Sequence, residues 1–248
     1  MSIQDRLTNT SSSGLVKMAA VIYGPAGVGK TTLARTLTPL GKVLIVSGEG
    51  GLASLSGHDL DVFEFKGRDD LAALLQALAN NELSEYDVLY FDSLTEIGQI
   101  YDRDMHARFA VMDPDLGVAD VPKANNFKFF GALAREKEMF LRFIRDCGKH
   151  TFCSAKERHW SNDKTGEGGV KPHFGQGSAT DQLPYLFDFV FAYRWIVDQD
   201  GQDRRVLFTQ PYQDWLAKAR QDVSAPALQP WIVDPDLSDV ARRAIPNL

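Results

Sequence analysis

The sequence predicts an α/β domain: a mainly parallel, twisted sheet flanked by helices, with antiparallel strands towards the C terminus. Three observations predict it. The stretch Gly24-Pro25-Ala26-Gly27-Val28-Gly29-Lys30-Thr31-Thr32 fits the phosphate-binding pattern G-x-x-x-x-G-K-[ST], between an apolar run of strand length and a helical repeat. Short apolar runs then alternate with amphipathic helical stretches as far as Ala155. From Tyr185 to Arg220, runs rich in Phe, Tyr and Val follow one another across turn-forming residues.

Taken in order, Lys17–Tyr23 is the first strand and Thr31–Leu40, with Leu33, Leu37 and Leu40 at helical spacing, the first helix. Lys42–Ser47 and Asp61–Phe65 are strands, and Asp69–Ala79 is a helix with Leu71, Leu74, Leu75 and Leu78 on one face. Asp87–Asp92 is a strand, Thr95–Val111 and Asn125–Lys149 are helices, and His150–Ala155 is the next strand. The stretch 161–183 is polar, glycine-rich and too long for an ordinary connection, which predicts a functional or mobile loop. Tyr185–Val197, Arg205–Thr209 and Trp215–Arg220 read as strands, the first two joined by Asp198–Asp203 of hairpin composition. A short amphipathic stretch lies near Leu237–Ile245.

With 248 residues and 44% hydrophobic content, the chain has material for one large domain. A net charge of −6 excludes a protein coated in basic surface and confines any nucleic-acid contact to a loop or groove. The two cysteines, Cys147 and Cys153, lack metal-ligand spacing and read as thiols of a reducing compartment. No apolar run approaches a membrane span and the N terminus carries no apolar signal core, so a cytosolic protein is expected. Residues 1–14 read as a flexible tail, or as a tether that docks on a neighbouring subunit.

The loop defines the expected chemistry. Its glycines let successive backbone N–H groups turn inward around the phosphates of a nucleotide, with the following helix adding its dipole. Lys30 is expected to reach the β- and γ-phosphates and Thr31 to ligate Mg²⁺. Asp92, ending an apolar strand, is the expected second Mg²⁺ partner. Ser93, where many ATPases carry a water-activating glutamate, sends the search for a general base elsewhere. Glu49, at the C-terminal end of the strand Lys42–Ser47, is the catalytic candidate by position. Glu96 is a weaker acidic candidate, read as a dipole partner one turn into the next helix.

Between Lys156 and Gly175, cations and aromatics are interleaved, with Arg158, Trp160, Lys164, Lys171 and Phe174 prominent. On a flexible loop this composition suits single-stranded nucleic acid, whose bases stack while its phosphates pair; a solvated loop is the competing reading. Lys218 and Arg220 alternate along the last strand and share a face. They either complete a neighbouring subunit's nucleotide site or blunt an exposed sheet edge.

The order of parts over about residues 15–222 resembles the RecA-like branch of P-loop ATPases, and within it the phage-encoded Sak-type ATPases associated with single-strand annealing and recombination. Ile45-Val-Ser-Gly-Glu-Gly-Gly51 looks like the strand whose glutamate activates water, and Tyr90-Phe-Asp-Ser93 is similar to the family's aspartate-serine ending. Ser154-Ala-Lys156 falls where such proteins sense the nucleotide, with Lys156 in place of the usual glutamine. Ala217-Lys-Ala-Arg220 resembles the K-x-R element that enters the adjacent subunit's γ-phosphate site. The acidic Met112–Pro122 departs from the pattern at the first DNA-loop position.

The resemblance implies an Mg-dependent ATP hydrolase working as a ring or filament. Single-stranded DNA, and a single-strand-binding or replication protein, are its implied partners, in the bacterial host cytoplasm. It implies an ATPase domain over 15–222, followed by a C-terminal extension over 223–248. A nucleotide-switched accessory module that loads or remodels a replication protein is the alternative. A small-molecule kinase is disfavoured by the absence of an arginine-rich lid, and a conventional AAA+ machine by strands where a helical lid would follow the core.

Overall fold

The computed structural model describes residues 17–48, 50–112, 126–162, 164–221 and 227–245. Within them the parallel strands are β1 (Ala19–Gly24), β2 (Val43–Ser47), β3 (Asp61–Glu64), β4 (Val88–Asp92), β5 (His150–Ser161) and β7 (Phe189–Val197). Antiparallel pairing brings in β6 (Gly168–Pro172) on β5, β8 (Asp203–Phe208) and β9 (Lys218–Ala219) on β7, and β10 (Trp231–Val233) on β8. The main path runs β10-β8-β7-β1-β5-β4-β2-β3. This is the α/β architecture the sequence predicts.

Successive side chains of a strand face opposite sides, and here both sides are covered, which is why the central strands read as continuous apolar runs. One face buries Val21, Tyr23, Val46, Phe91 and Cys153 beneath α2 (Arg68–Ala79), α3 (Leu94–Met112), α4 (Asn126–Asp146) and α5 (Ala179–Leu186). The other buries Ile22, Ile45, Tyr90 and Phe152 beneath α1 (Lys30–Leu33), the turn that continues it, and α6 (Leu237–Ala244).

Four elements differ from expectation. The first helix keeps α geometry only to Leu33 and continues as a 3₁₀ helix over Ala34–Leu40. Thr36 and Thr38 turn their hydroxyls onto the carbonyls of Leu33 and Arg35, and Pro39 has no N–H to give to the α ladder. Strand β5 does not stop at Ala155: it runs on to Ser161 and turns back as β6, so the expected loop is largely a hairpin. Its outer residues are exposed, so no apolar alternation marked it. The strand expected from Tyr185 begins at Phe189, after α5. That expected over Trp215–Arg220 shrinks to Lys218–Ala219, because the Trp215 backbone exchanges hydrogen bonds with Tyr212 in a tight turn; its buried ring stacks on Tyr23 at 5.7 Å.

Beyond residue 222, β10 joins the sheet and α6 packs on the 3₁₀ turn, with Leu237 N–H donating to Thr36 Oγ1 at 2.9 Å. Leu228, Leu237, Val240 and Ala241 of this stretch thus complete the same core. Among the described residues no helix is long and apolar enough to cross a membrane.

Candidate active site

Strand β1 ends at Gly24, whose Cα lies so close to β7 that an added Cβ would stand 2.0 Å from the Tyr193 carbonyl oxygen. The loop then turns through Gly29 at φ +98° into α1, a conformation and an opening that only glycine supplies without strain. A cleft of about 500 Å³ opens over it, lined by the loop and by Ser54, Asp92, Ser93, Ser154, Lys156 and Glu157. Lys30 curls into it, donating from Nζ to Gly24 O at 2.9 Å and to Pro25 O at 2.8 Å. Tyr90 fixes the base of α1 by donating to the Lys30 carbonyl at 2.6 Å. Burial first, and the Asp92 charge second, push that phenol well above its ordinary pKa, so it stays a donor.

Asp92, at the end of β4, is buried and held from two sides. Thr31 donates to its Oδ2 at 2.6 Å, and Ser154 donates to its Oδ1. This arrangement depends on β5 lying between β1 and β4, which sets Ser154 between the loop strand and the aspartate strand. Ser47, Asp92's register partner on β2, keeps a buried hydroxyl with no hydrogen-bond partner among the described residues. Hydroxyl, carboxylate and an orphaned buried oxygen form the hard oxygen set that suits Mg²⁺ and its waters. The residues present therefore fit both a triphosphate and the metal, with Thr31 and Asp92 as the holders.

Glu49 lies outside the described residues. Its neighbour Gly48 donates its backbone N–H to Asp92 O at 3.0 Å, which ties the chain entering that position to the aspartate strand. Lys156 faces the cleft from β5 and pairs through Nζ with Glu96 Oε1 at 2.8 Å, while its backbone N–H donates to Thr95 Oγ1. Glu96 is thus the counter-charge of the expected sensor.

On the hairpin, Arg158 and Trp160 are exposed on β5, and Lys171, the register partner of Arg158 on β6, lies 5.4 Å from the Trp160 ring centre. Lys171 also pairs with Asp181. Lys164 is exposed in the connecting turn. Phe174 corrects the sequence reading: it is fully buried, 6.4 Å from Phe140 in a stacked pair, and no base can reach it. Its segment is gripped by α3, whose Gly98 leaves so little room that an added Cβ would stand 2.6 Å from the Phe174 carbonyl carbon. Composition alone counted Phe174 with the exposed aromatics because burial is a property of the packed fold.

Lys218 and Arg220 sit beside the start of β7, level with the beginning of β1 and away from this chain's own loop. Lys218 folds back to donate to the carbonyls of Pro184 and Phe187 at the end of α5, and desolvation holds its pKa below the ordinary lysine value. Arg220 is 65% exposed and pairs with Asp188 at 2.6 Å. The two cations therefore differ, one committed to a helix end and one presented to solvent.

Ser154 as an Asp92 partner and Glu157 as a cleft residue were not singled out in the sequence. Period-two alternation offered one signal, since Ser154 and Lys156 must share a face. Glu157 Oε2 is buried without a hydrogen-bond partner among the described residues.

Against known families, residues 16–221 match the one described as AAA domain. The comparison with curated proteins finds no match. Among solved structures, a KaiC-like protein from the hyperthermophilic archaeon Pyrococcus horikoshii OT3 is similar at 9% identity, covering 79% of this chain and 78% of that one, with a TM-score of 0.39. The family match takes in the phosphate loop, Asp92 and every strand from β1 to β9. The chain belongs to the AAA domain family and is a P-loop ATP hydrolase.

Proposed function

We propose that this ATPase works in the RecA-like manner of the phage Sak-type proteins it resembles. It hydrolyses ATP with Mg²⁺ between copies of itself in a ring or filament, and couples hydrolysis to single-stranded DNA in recombination or strand annealing in the bacterial host cytoplasm. The observation that carries the reading is the continuity of β5. One strand bears Ser154 on the Asp92 carboxylate, Lys156 in the nucleotide cleft, and then Arg158 and Trp160 on the hairpin. A shift at the phosphate end is transmitted along a single hydrogen-bonded element to a cationic, aromatic surface of the kind that holds single strands.

In this reading Glu49 accepts a proton from water as its oxygen attacks the γ-phosphorus and the bond to the ADP oxygen breaks. Lys30 leaves its two loop carbonyls for the phosphate oxygens. Thr31 and Asp92 would hold Mg²⁺, which would supply charge neutralisation on the triphosphate. Arg220 of one copy, and Lys218 once released from α5, supply cations to the neighbour; such a finger is worth roughly 10³ to 10⁵ in rate.

The test is ATP turnover against protein concentration, with and without single-stranded DNA, together with mixing of variants. Upward curvature and a DNA-dependent rise are expected. Arg220→Ala and Glu49→Gln chains, each inactive alone, should regain turnover when mixed; no recovery sinks the shared site.

A second reading, the nucleotide-switched accessory module, is favoured by one observation. An apolar groove of about 300 Å³ on β7, β8 and β10, flanked by the exposed Val197, Trp231 and Val233, offers a protein-docking face. Stimulation of turnover by a replication protein and not by DNA would select it.

A further inference from the structure

Strand β5 changes partners at Lys156. Its ladder with β4 ends at Cys153, because the chain beyond Asp92 turns into α3, and its ladder with β1 ends at Lys156, opposite Gly24. The hairpin ladder with β6 begins at the next residue, Glu157, opposite Pro172. A buried backbone group at such a junction must find a partner outside the ladders. Thr95, fully buried in the first turn of α3, supplies it. Its Oγ1 accepts the Lys156 N–H at 2.9 Å and donates to the His173 carbonyl at 2.7 Å, while the His173 N–H donates to the Lys156 carbonyl at 2.9 Å. A hydroxyl has one proton to give, so the bond to His173 fixes its direction and leaves its lone pairs for Lys156. One side chain thus joins the outgoing arm of the hairpin, its returning arm and the helix that grows from the aspartate strand.

The same face of α3 continues the grip. Gly98 lies against the Phe174 and Gly175 backbone, and Asp102 accepts the Gln176 N–H at 2.8 Å. Glu96, beside Thr95, holds the Lys156 Nζ at 2.8 Å. So α3 sets the Lys156 backbone through Thr95 and its ammonium through Glu96. The two attachments differ in kind. The ammonium pair is partly exposed and contributes little, so the side chain can exchange it for an anion in the cleft. The Thr95 bonds are enclosed, and losing the hydroxyl strands the Lys156 N–H and the His173 carbonyl.

We propose that Thr95 is the positioning residue of the cleft lysine: through its hydroxyl, α3 holds the Lys156 backbone where the ammonium meets the γ-phosphate of ATP. Thr95 acts on the nucleotide only through Lys156. The inference rests on the reading of Lys156 as the cation that senses that phosphate.

The experiment is calorimetric titration of the full chain with ADP and with ATPγS, each with Mg²⁺, the ratio of affinities isolating the γ-phosphate. Wild type is compared with Thr95→Val, which keeps the side-chain shape without the hydroxyl, with Thr95→Ser, which keeps the hydroxyl, with Lys156→Ala, and with Thr95→Val combined with Lys156→Ala. Lys156→Ala should lower the preference for ATPγS over ADP about tenfold, the effect of one charge-assisted hydrogen bond. Thr95→Val should lower it about threefold to tenfold, and Thr95→Ser should stay within about twofold of wild type. The double variant should match Lys156→Ala, since a residue acting through another has no effect once the other is gone. ADP affinity should stay within about twofold throughout, which shows each chain folded; Thr95→Ala replaces a valine chain that binds no ADP. A merely structural Thr95 would weaken both nucleotides alike and overturn the proposal. So would a Thr95→Val preference equal to wild type, a serine chain as weak as the valine, or losses that add in the double variant. Lys156→Ala with the wild-type preference overturns the Lys156 reading and the role of Thr95 with it. Wild type that binds neither nucleotide overturns the ATPase reading itself.

Discussion

Thr31 donates its hydroxyl to Asp92 Oδ2 across 2.6 Å, joining the first turn after the phosphate loop to the end of β4. With Ser154 on the other oxygen, the carboxylate is fixed before any metal arrives. Asp92→Asn should therefore lower turnover by about a hundredfold or more at saturating ATP and shift its Mg²⁺ dependence to higher concentration. Phosphate release across a Mg²⁺ titration checks this. Ser154→Ala, which removes only an orienting bond, should fall between that variant and wild type.

The Lys156 pair with Glu96 is partly exposed, with the lysine side chain 48% accessible. Such pairs contribute within about 1 kcal/mol. Lys156→Ala should leave the melting temperature nearly unchanged while lowering turnover, because the residue faces the cleft. A large drop in melting temperature would mark it as structural.

Lys137 and Asp102 form a buried pair at 2.5 Å, the lysine fully enclosed. Desolvation pulls the lysine pKa down while the Asp102 bond opposes it. Lys137 also donates to the Phe174 and Gln176 carbonyls, and Asp102 accepts from Gln176 N–H, so the pair fastens the segment after β6 to α3 and α4. Lys137→Met alone leaves a buried charge and should destabilise by about 3–5 kcal/mol, read by urea unfolding. Pairing it with Asp102→Leu should recover part of that loss.

Arg158→Ala and Lys171→Ala should weaken single-stranded DNA binding and reduce the slope of log affinity against log salt by about one each. Phe174→Ala should act differently, destabilising the fold by about 3–5 kcal/mol as a core truncation. Fluorescence anisotropy at several salt concentrations separates the two classes.

His150 accepts the Met18 N–H at Nδ1 and is buried, and desolvation lowers its pKa from 6.5 to about 4, with Lys17 adding to the shift. As pH falls through 6.5 the unfolded chain takes up this proton before the folded one, so stability is complete above that value and declines towards pH 4. Melting temperature measured between pH 7 and 4.5 should fall, and His150→Gln should flatten the decline.

The loop at Gly24–Thr32, Asp92 as its partner and the alternation of strands and helices were legible in the sequence, because each is written in local spacing: glycines at fixed offsets, apolar runs of strand length, a carboxylate at a strand end. The face shared by Ser154 and Asp92 was not, since it depends on β5 slipping between β1 and β4. Nor was the enclosure of Phe174 beside Arg158 and Trp160, which have the same local composition but project from a hairpin. Thr95 and His173 stand far apart in the chain and meet only because β6 turns back along β5 to the first turn of α3. Short-range pattern thus determined the chemistry of the phosphates, and long-range strand pairing decided which side chains surround them, because burial and proximity arise only when distant segments share a surface.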